Sequence, residues 1–288
     1  MQPTAFLYPG QGRVAERLDR VPPKVDELYN IAAERGLPLR QWMQDEPDRF
    51  SRTDAAQPAL FLDSLARDLA LRAYGIEPIA VAGHSLGEYA ALVGAGVLAA
   101  RDAFETVIER GHLMQQVEGG MVAVLKLDLD TVRGLCDTEN GQVVVANHNS
   151  PQQVVVSGRS PALERVAARA GDLGGRCIPL PVSGPFHSPF MQPAEDALRP
   201  TIERMPFADP AIPVVSSVSG ASEAHADTLR RLLLRQITSC VRWVDSIGTL
   251  EALGIRRAIE VGSGDTLTRL GRRITDAVEF VPFEEVSR

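Results

Sequence analysis

Short apolar runs alternate with longer amphipathic stretches along this chain. Ala5 to Tyr8 is an apolar run that breaks at Pro9-Gly10-Gln11-Gly12, which predicts a strand running into a glycine turn. A charged helical stretch follows and is broken by Pro22-Pro23. Between Gln57 and Tyr74, Leu60, Leu62, Leu65, Leu69 and Leu71 recur at helical spacing. Ile79-Ala80-Val81-Ala82 then reads as a short buried strand, and Gly83 begins a turn. From Leu86 to Leu98 small residues dominate, which predicts a helix packed closely against its neighbours.

After Gly119-Gly120 the texture changes. Met121 to Leu127 reads as a strand, Asp130 to Cys136 as a helix, Gln142 to Ala146 and Gln153 to Ser157 as strands, Pro161 to Leu173 as a helix and Arg176 to Leu180 as a strand. The order βαββαβ is the ferredoxin-like split motif. The expected architecture is therefore α/β, with a larger domain formed by 1–119 and 183–288 and an inserted ferredoxin-like subdomain at 120–182. Beyond Pro181 come a Gly/Pro-rich loop, a helix near Pro193 to Met205, a strand at Pro213 to Ser217, a helix through Leu229 to Ile237 and a strand at Arg257 to Val261.

Composition narrows the function classes. With 288 residues, 44% of them apolar, the chain is long enough for a sizeable core. A net charge of −7 leaves no basic excess to displace counterions from phosphates, which excludes a general nucleic-acid binder. The most apolar window, Val81 to Ala100, contains His84 and Glu88, costly groups in hydrocarbon, so no membrane span is expected. The N-terminus has no basic stretch leading into an apolar one, so no signal peptide is expected either. Cys136, Cys177 and Cys240 are isolated and suggest neither a disulfide framework nor a metal site. The expected location is the cytoplasm. Lys24 and Lys126 are the only lysines, an arginine bias of the kind a GC-rich genome produces.

Gly83-His84-Ser85-Leu86-Gly87 places a GxSxG pentapeptide between a short apolar strand and a helix, the setting of a nucleophile elbow. There Ser85 Oγ would stand at a helix N-terminus, where the N–H of Leu86 and the positive helix end favour a developing oxyanion. A glycine-flanked helix cap would leave the same pattern. A serine hydroxyl also needs a base. His187, in the stiff loop Gly184-Pro185-Phe186-His187-Ser188-Pro189, is well presented for that role, although a surface histidine would fit the loop as well.

These stretches carry a wider resemblance. FLYPGQG, DAAQPAL, GHSLGEYAALVGAGVL, ERGHLM, NHNSPQQVVVSG, LPVSGPFHSPFM, VRW and EVGSGDTLTRL occur in the order found in the malonyl-CoA:acyl-carrier-protein transacylase family and span nearly the whole chain. That family includes the acyltransferases of polyketide assembly. The resemblance implies an α/β-hydrolase-like domain carrying a ferredoxin-like insert, in agreement with the element order. It makes Ser85 the acylated nucleophile and His187 its base, oriented by a main-chain carbonyl at the position of Arg242 in Cys240-Val241-Arg242-Trp243. Gln11 would complete the oxyanion hole with Leu86, Gln57 would line the pocket, and Asn149 would lie near the site. Arg110 would hold the free carboxylate of a malonyl group as a bidentate pair, where its bland alternative is a helix-surface arginine. Phe186 matches a position where malonyl users commonly carry Phe and methylmalonyl users tend to carry Ser.

One departure is Gly10-Gln11-Gly12-Arg13-Val14, where the family usually has GQGSQ, followed by a segment several residues short. It leaves the shape of the site mouth open. The resemblance implies coenzyme A thioesters and an acyl carrier protein as partners, no metal or redox cofactor, and a monomer. Three rivals stay open. They are a proofreading thioester hydrolase or a transferase using carrier-bound donors on the same scaffold, and a catalytically silent docking protein.

Overall fold

The computed structural model describes residues 2–12 and 22–286. The charged helical stretch expected before Pro22, and Arg13 and Val14 of the atypical loop, lie outside them.

Six strands form the larger sheet: β1 (Thr4–Tyr8), β2 (Ala80–Gly83), β7 (Val214–Val215), β8 (Ser222–Glu223), β9 (Arg257–Glu260) and β10 (Glu279–Pro282), in the order β10-β9-β1-β2-β7-β8. All pairings from β10 to β7 are parallel, and β8 closes the edge antiparallel. A parallel sheet is covered on both faces, so its central strands are continuous apolar runs. β1 shows this: Phe6 and Tyr8 enter one core with Val81, while Ala5 and Leu7 enter the other with Ala80 and Ala82. The first core is closed by the Thr53–Ala73 and Ala100–Gln115 helices, the second by the Trp243–Ala252 helix.

The second sheet comprises β3 (Gly120–Leu125), β4 (Val143–Ser150), β5 (Gln153–Gly158) and β6 (Arg176–Pro179), antiparallel in the order β4-β5-β3-β6. The Leu129–Asp137 and Ser160–Asp172 helices complete the expected βαββαβ order. Side chains alternate across the pleat. Val122, Val124, Val154 and Val156 pack under the two helices, whereas Met121, Ala123 and Val155 meet Phe186, Met191 and Ile237. The chain is thus a large α/β body plus a smaller one, joined through that last cluster.

Several bounds differ from expectation, each for a local reason. The helix expected over Leu86–Leu98 spans Gly87–Gly94, because Gly96 at φ 77° turns the chain left-handed and closes it. The strand expected at Pro213–Ser217 keeps only Val214–Val215. The helix expected to reach Ile237 ends at Leu234 and is followed by a tight turn, Gln236–Thr238. β4 runs on past Ala146 through the polar stretch Asn147–Ser150, with irregular register at Val145/Asn147 and His148/Ser150. These extra residues also pair with the chain ahead of Trp243. The N–H of His148 donates to Val241 O at 2.9 Å and that of Val241 to Ala146 O at 2.8 Å.

Candidate active site

Ser85 sits between β2 and the Gly87–Gly94 helix at φ 52°. A non-glycine residue in that region costs on the order of 1–3 kcal/mol, so the surroundings must enforce it. The flanking glycines show how tightly they do. A Cβ on Gly83 would stand 2.2 Å from Glu88 N, and one on Gly87 2.0 Å from Tyr8 O. The Pro9–Gly12 turn presses on the same elbow, since a Cβ on Gly10 would meet His84 O at 2.8 Å.

His187 also holds a left-handed backbone, at φ 57°, and is buried. Its Nε2 lies 2.7 Å from Ser85 Oγ. On the other ring edge, Nδ1 lies 3.1 Å from Gln236 O and 3.0 Å from Ser239 O. Both are acceptors, so Nδ1 carries the proton and Nε2 presents its lone pair to the serine hydroxyl. This corrects the expectation for Arg242. Its carbonyl accepts instead from the N–H of Ser246 at 2.9 Å and from Ser246 Oγ at 3.0 Å, as the opening turn of the Trp243–Ala252 helix. The tight turn at Gln236–Thr238, absent from the expected pattern, brings the two nearer carbonyls to the ring.

Burial chiefly, with the charge of Arg110 and then His84 adding to it, lowers the His187 pKa to about 3. The imidazole is therefore neutral and ready to accept a proton at any ordinary pH. The acid limb of kcat/KM for acyl-enzyme formation is expected well below the usual histidine range, with a flat profile from about pH 6 upward. Arg110 is a cation that disfavours imidazolium, so Arg110→Ala should move that limb upward. His187→Ala should slow acylation by about 10²–10⁴. Quench-flow adduct formation across pH measures all three. A loss under tenfold in His187→Ala would remove His187 as the base, whereas a wild-type limb near 6.5 would overturn only the lowering of its pKa.

Arg110 comes from the Ala100–Gln115 helix and is 1% exposed, which disposes of the surface-arginine reading. Its Nη2 donates to Ser85 Oγ at 3.3 Å and to Gln236 Oε1 at 3.1 Å, its guanidinium lies 5.7 Å from the Tyr89 ring centroid, and Nε has no partner among the described residues. A buried cation with an unpartnered Nε beside a nucleophile has the chemistry to receive an anion.

A cleft of about 250 Å³ opens at the dyad, its lining including Gln11, Ser85, Asn149, Phe186 and His187 together with Met121, Val155 and Leu180. Gln11 thus reaches the site, with its side-chain amide 3.4 Å from Thr53 Oγ1. Asn149 Oδ1 accepts from His84 Nε2 at 2.9 Å, so it holds the elbow from the small sheet. Gln57 is brought near but, like Leu86 and Arg110, stands behind the residues that line the cleft. It is buried, with Nε2 3.6 Å from Met114 Sδ. Sequence reasoning missed Gln236, Ser239, Glu88 and Ser217. Their short polar stretches carry no spacing signal, although Glu88 next to GHSLG was in plain view.

Residues 22–285 match the family model described as acyl transferase domain. The malonyl CoA-acyl carrier protein transacylase of Salmonella typhimurium is 38% identical over 288 aligned residues, covering 95% of this chain and 93% of that protein. The solved malonyl CoA-acyl carrier protein transacylase of Coxiella burnetii superposes with a TM-score of 0.91 at 35% identity, covering 98% of this chain and 94% of that one. A malonyl-transacylase solved in complex with its type II polyketide synthase acyl-carrier protein superposes with a TM-score of 0.89 at 33% identity, over 97% and 94% of the two chains.

Proposed function

Since the chain belongs to the acyl transferase family, we propose that it moves a malonyl group from coenzyme A to the phosphopantetheine thiol of an acyl carrier protein through an acyl-serine. The observation that carries this reading is the pairing of the Ser85–His187 dyad with the buried Arg110 cation 3.3 Å from the nucleophile. An esterase or a hydrolase of plain acyl thioesters has no use for that cation.

His187 Nε2 takes the Ser85 proton as Oγ attacks the thioester carbonyl. The resulting oxyanion is held by the N–H groups of Leu86 and Gln11, a donor of this kind being worth about 10²–10³ in rate. Arg110 holds the distal carboxylate meanwhile. Collapse breaks the C–S bond, the imidazolium returns its proton to the departing coenzyme A sulfur, and malonyl-O-Ser85 remains. The carrier thiol then gives its proton to His187 and attacks the ester, and the same oxyanion forms. Its collapse breaks the C–Oγ bond as the imidazolium returns the proton to Ser85, leaving the malonyl thioester on the carrier. Every proton and bond is accounted for by the two side chains and the two thiols, so the route uses neither metal nor redox cofactor. No helix among the described residues is long and apolar enough to cross a membrane. We place the reaction in the cytoplasm, where coenzyme A thioesters and carrier proteins meet.

Intact-mass measurement tests the reading. Mixing with malonyl-CoA should leave one malonyl ester per chain, discharged on adding a carrier protein bearing phosphopantetheine. Steady release of free malonate without an adduct would mean a hydrolase, and an unmodified chain with intact thioester a silent docking protein.

Phe186 bears on the donor. Its ring lines the cleft and also packs with Met114, Met191 and Ile237. A pocket discriminates one methyl by about 1–3 kcal/mol. Phe186→Ser is therefore expected to raise methylmalonyl over malonyl kcat/KM by roughly tenfold, and to lower the melting temperature because a packed ring is lost. Side-by-side kinetics with a melting curve decide it. An unchanged donor ratio would make Phe186 packing alone.

A further inference from the structure

Gln236 is wholly buried, and its amide has different neighbours at its two ends. The oxygen accepts from Arg110 Nη2 at 3.1 Å, while Nε2 donates to Glu88 Oε2 and to the Ser85 carbonyl, both at 2.8 Å. Glu88 Oε2 also accepts from Ser217 Oγ at 2.7 Å. Both partners donate to that one oxygen, while burial pushes the Glu88 carboxyl pKa up. Glu88 is 2% exposed and stands in the first turn of the Gly87–Gly94 helix, where the helix dipole favours negative charge.

A primary amide is nearly symmetric in shape and opposite in chemistry at its two ends. Turned over, the Gln236 amide would set N–H against the Arg110 guanidinium and oxygen against the Glu88 carboxylate. Both contacts would then be repulsive. The acceptors on one side, the Glu88 carboxyl oxygen and the Ser85 carbonyl, therefore fix what the buried cation meets on the other. We propose that Glu88 is a positioning residue for donor choice: it holds the amine end of the Gln236 amide, turns the oxygen toward Arg110, and so aims the guanidinium at the carboxylate of a carboxyacyl donor. The inference rests on the reading of Arg110 as the carboxylate holder. The relay also borders the dyad, through Arg110 Nη2 on Ser85 Oγ, Gln236 Nε2 on the Ser85 carbonyl and the Gln236 carbonyl on His187 Nδ1, so its specific signature is the ratio of malonyl to acetyl transfer.

The experiment compares malonyl-CoA and acetyl-CoA transfer in Glu88→Leu, Glu88→Gln, Gln236→Met, the double variant Glu88→Leu/Gln236→Met, and Arg110→Ala. Glu88→Leu should lower malonyl kcat/KM by about tenfold or more, chiefly through KM, and by roughly fivefold or more beyond any loss in acetyl kcat/KM. Glu88→Gln keeps an oxygen that can accept from Gln236 Nε2 and should recover most of the loss. The double variant should lose no more malonyl transfer than the worse single, because each breaks the same relay. Equal losses on both donors, or additive losses in the double variant, would overturn the proposal. If Glu88→Leu does not fold, Gln236→Met alone must bias the loss toward malonyl, and an unbiased loss overturns the relay. Arg110→Ala separates the two claims. Donor bias there without bias at Glu88 sinks only the relay, and no bias at Arg110 sinks the carboxylate reading beneath it.

Discussion

Ser85→Ala is expected to abolish the acyl-enzyme altogether. Its hydroxyl is the group held at 2.7 Å from His187 Nε2 and 3.3 Å from Arg110 Nη2, and among the described residues no second side-chain hydroxyl is hydrogen-bonded to that ring. The variant should fold, because the turn is enforced by close approaches at Gly83 and Gly87 rather than by the side chain at 85. It should still bind malonyl-CoA, since Arg110 and the cleft are untouched. The check is intact mass for the adduct, with a melting curve and calorimetric titration on the same sample. An adduct that survives would mean another residue is acylated. A variant that neither folds nor binds would mean the serine is structural.

Arg110→Ala should separate donors by charge. Stripping one partner from a fully desolvated ion pair costs about 3–5 kcal/mol, because the other charge stays buried without compensation. At about 1.4 kcal/mol per decade, malonyl transfer should fall by roughly two to four orders of magnitude. An acetyl donor has no carboxylate to strand, so its transfer is spared. The burial of Arg110 makes the expectation sharp, since water cannot replace the lost cation as it would at the surface. Parallel kcat/KM values for malonyl-CoA and acetyl-CoA decide it. Equal losses would show that Arg110 holds the elbow rather than the substrate.

The sequence was most legible where local geometry and chemistry coincide. Gly83 and Gly87 are required by contacts of 2.2 and 2.0 Å, so the elbow announces itself in the residue types. The βαββαβ order follows from alternating valines and two amphipathic helices, each a local signal. The parts that stayed hidden are built from distant segments. The carbonyls that orient His187 belong to Gln236 and Ser239, and main-chain acceptors leave no mark in side-chain identity. Polar Asn147–Ser150 extends β4 because β5 on one side and the strap at Val241 on the other supply its partners. Glu88 could be seen but not understood until the Gln236 turn was placed beside it.

That strap bears on engineering. β4 and the Val241 segment exchange main-chain hydrogen bonds, and Asn149 grips His84 from the same strand. The small sheet looks like an interchangeable cassette for retuning donor choice, but its seam does not end where its chain does. A transplant of 120–182 alone would carry one half of a zipper into a host whose other half was cut for a different edge. The transferable unit is the cassette together with the stretch from Gln236 to Trp243, which also carries the two carbonyls that orient His187.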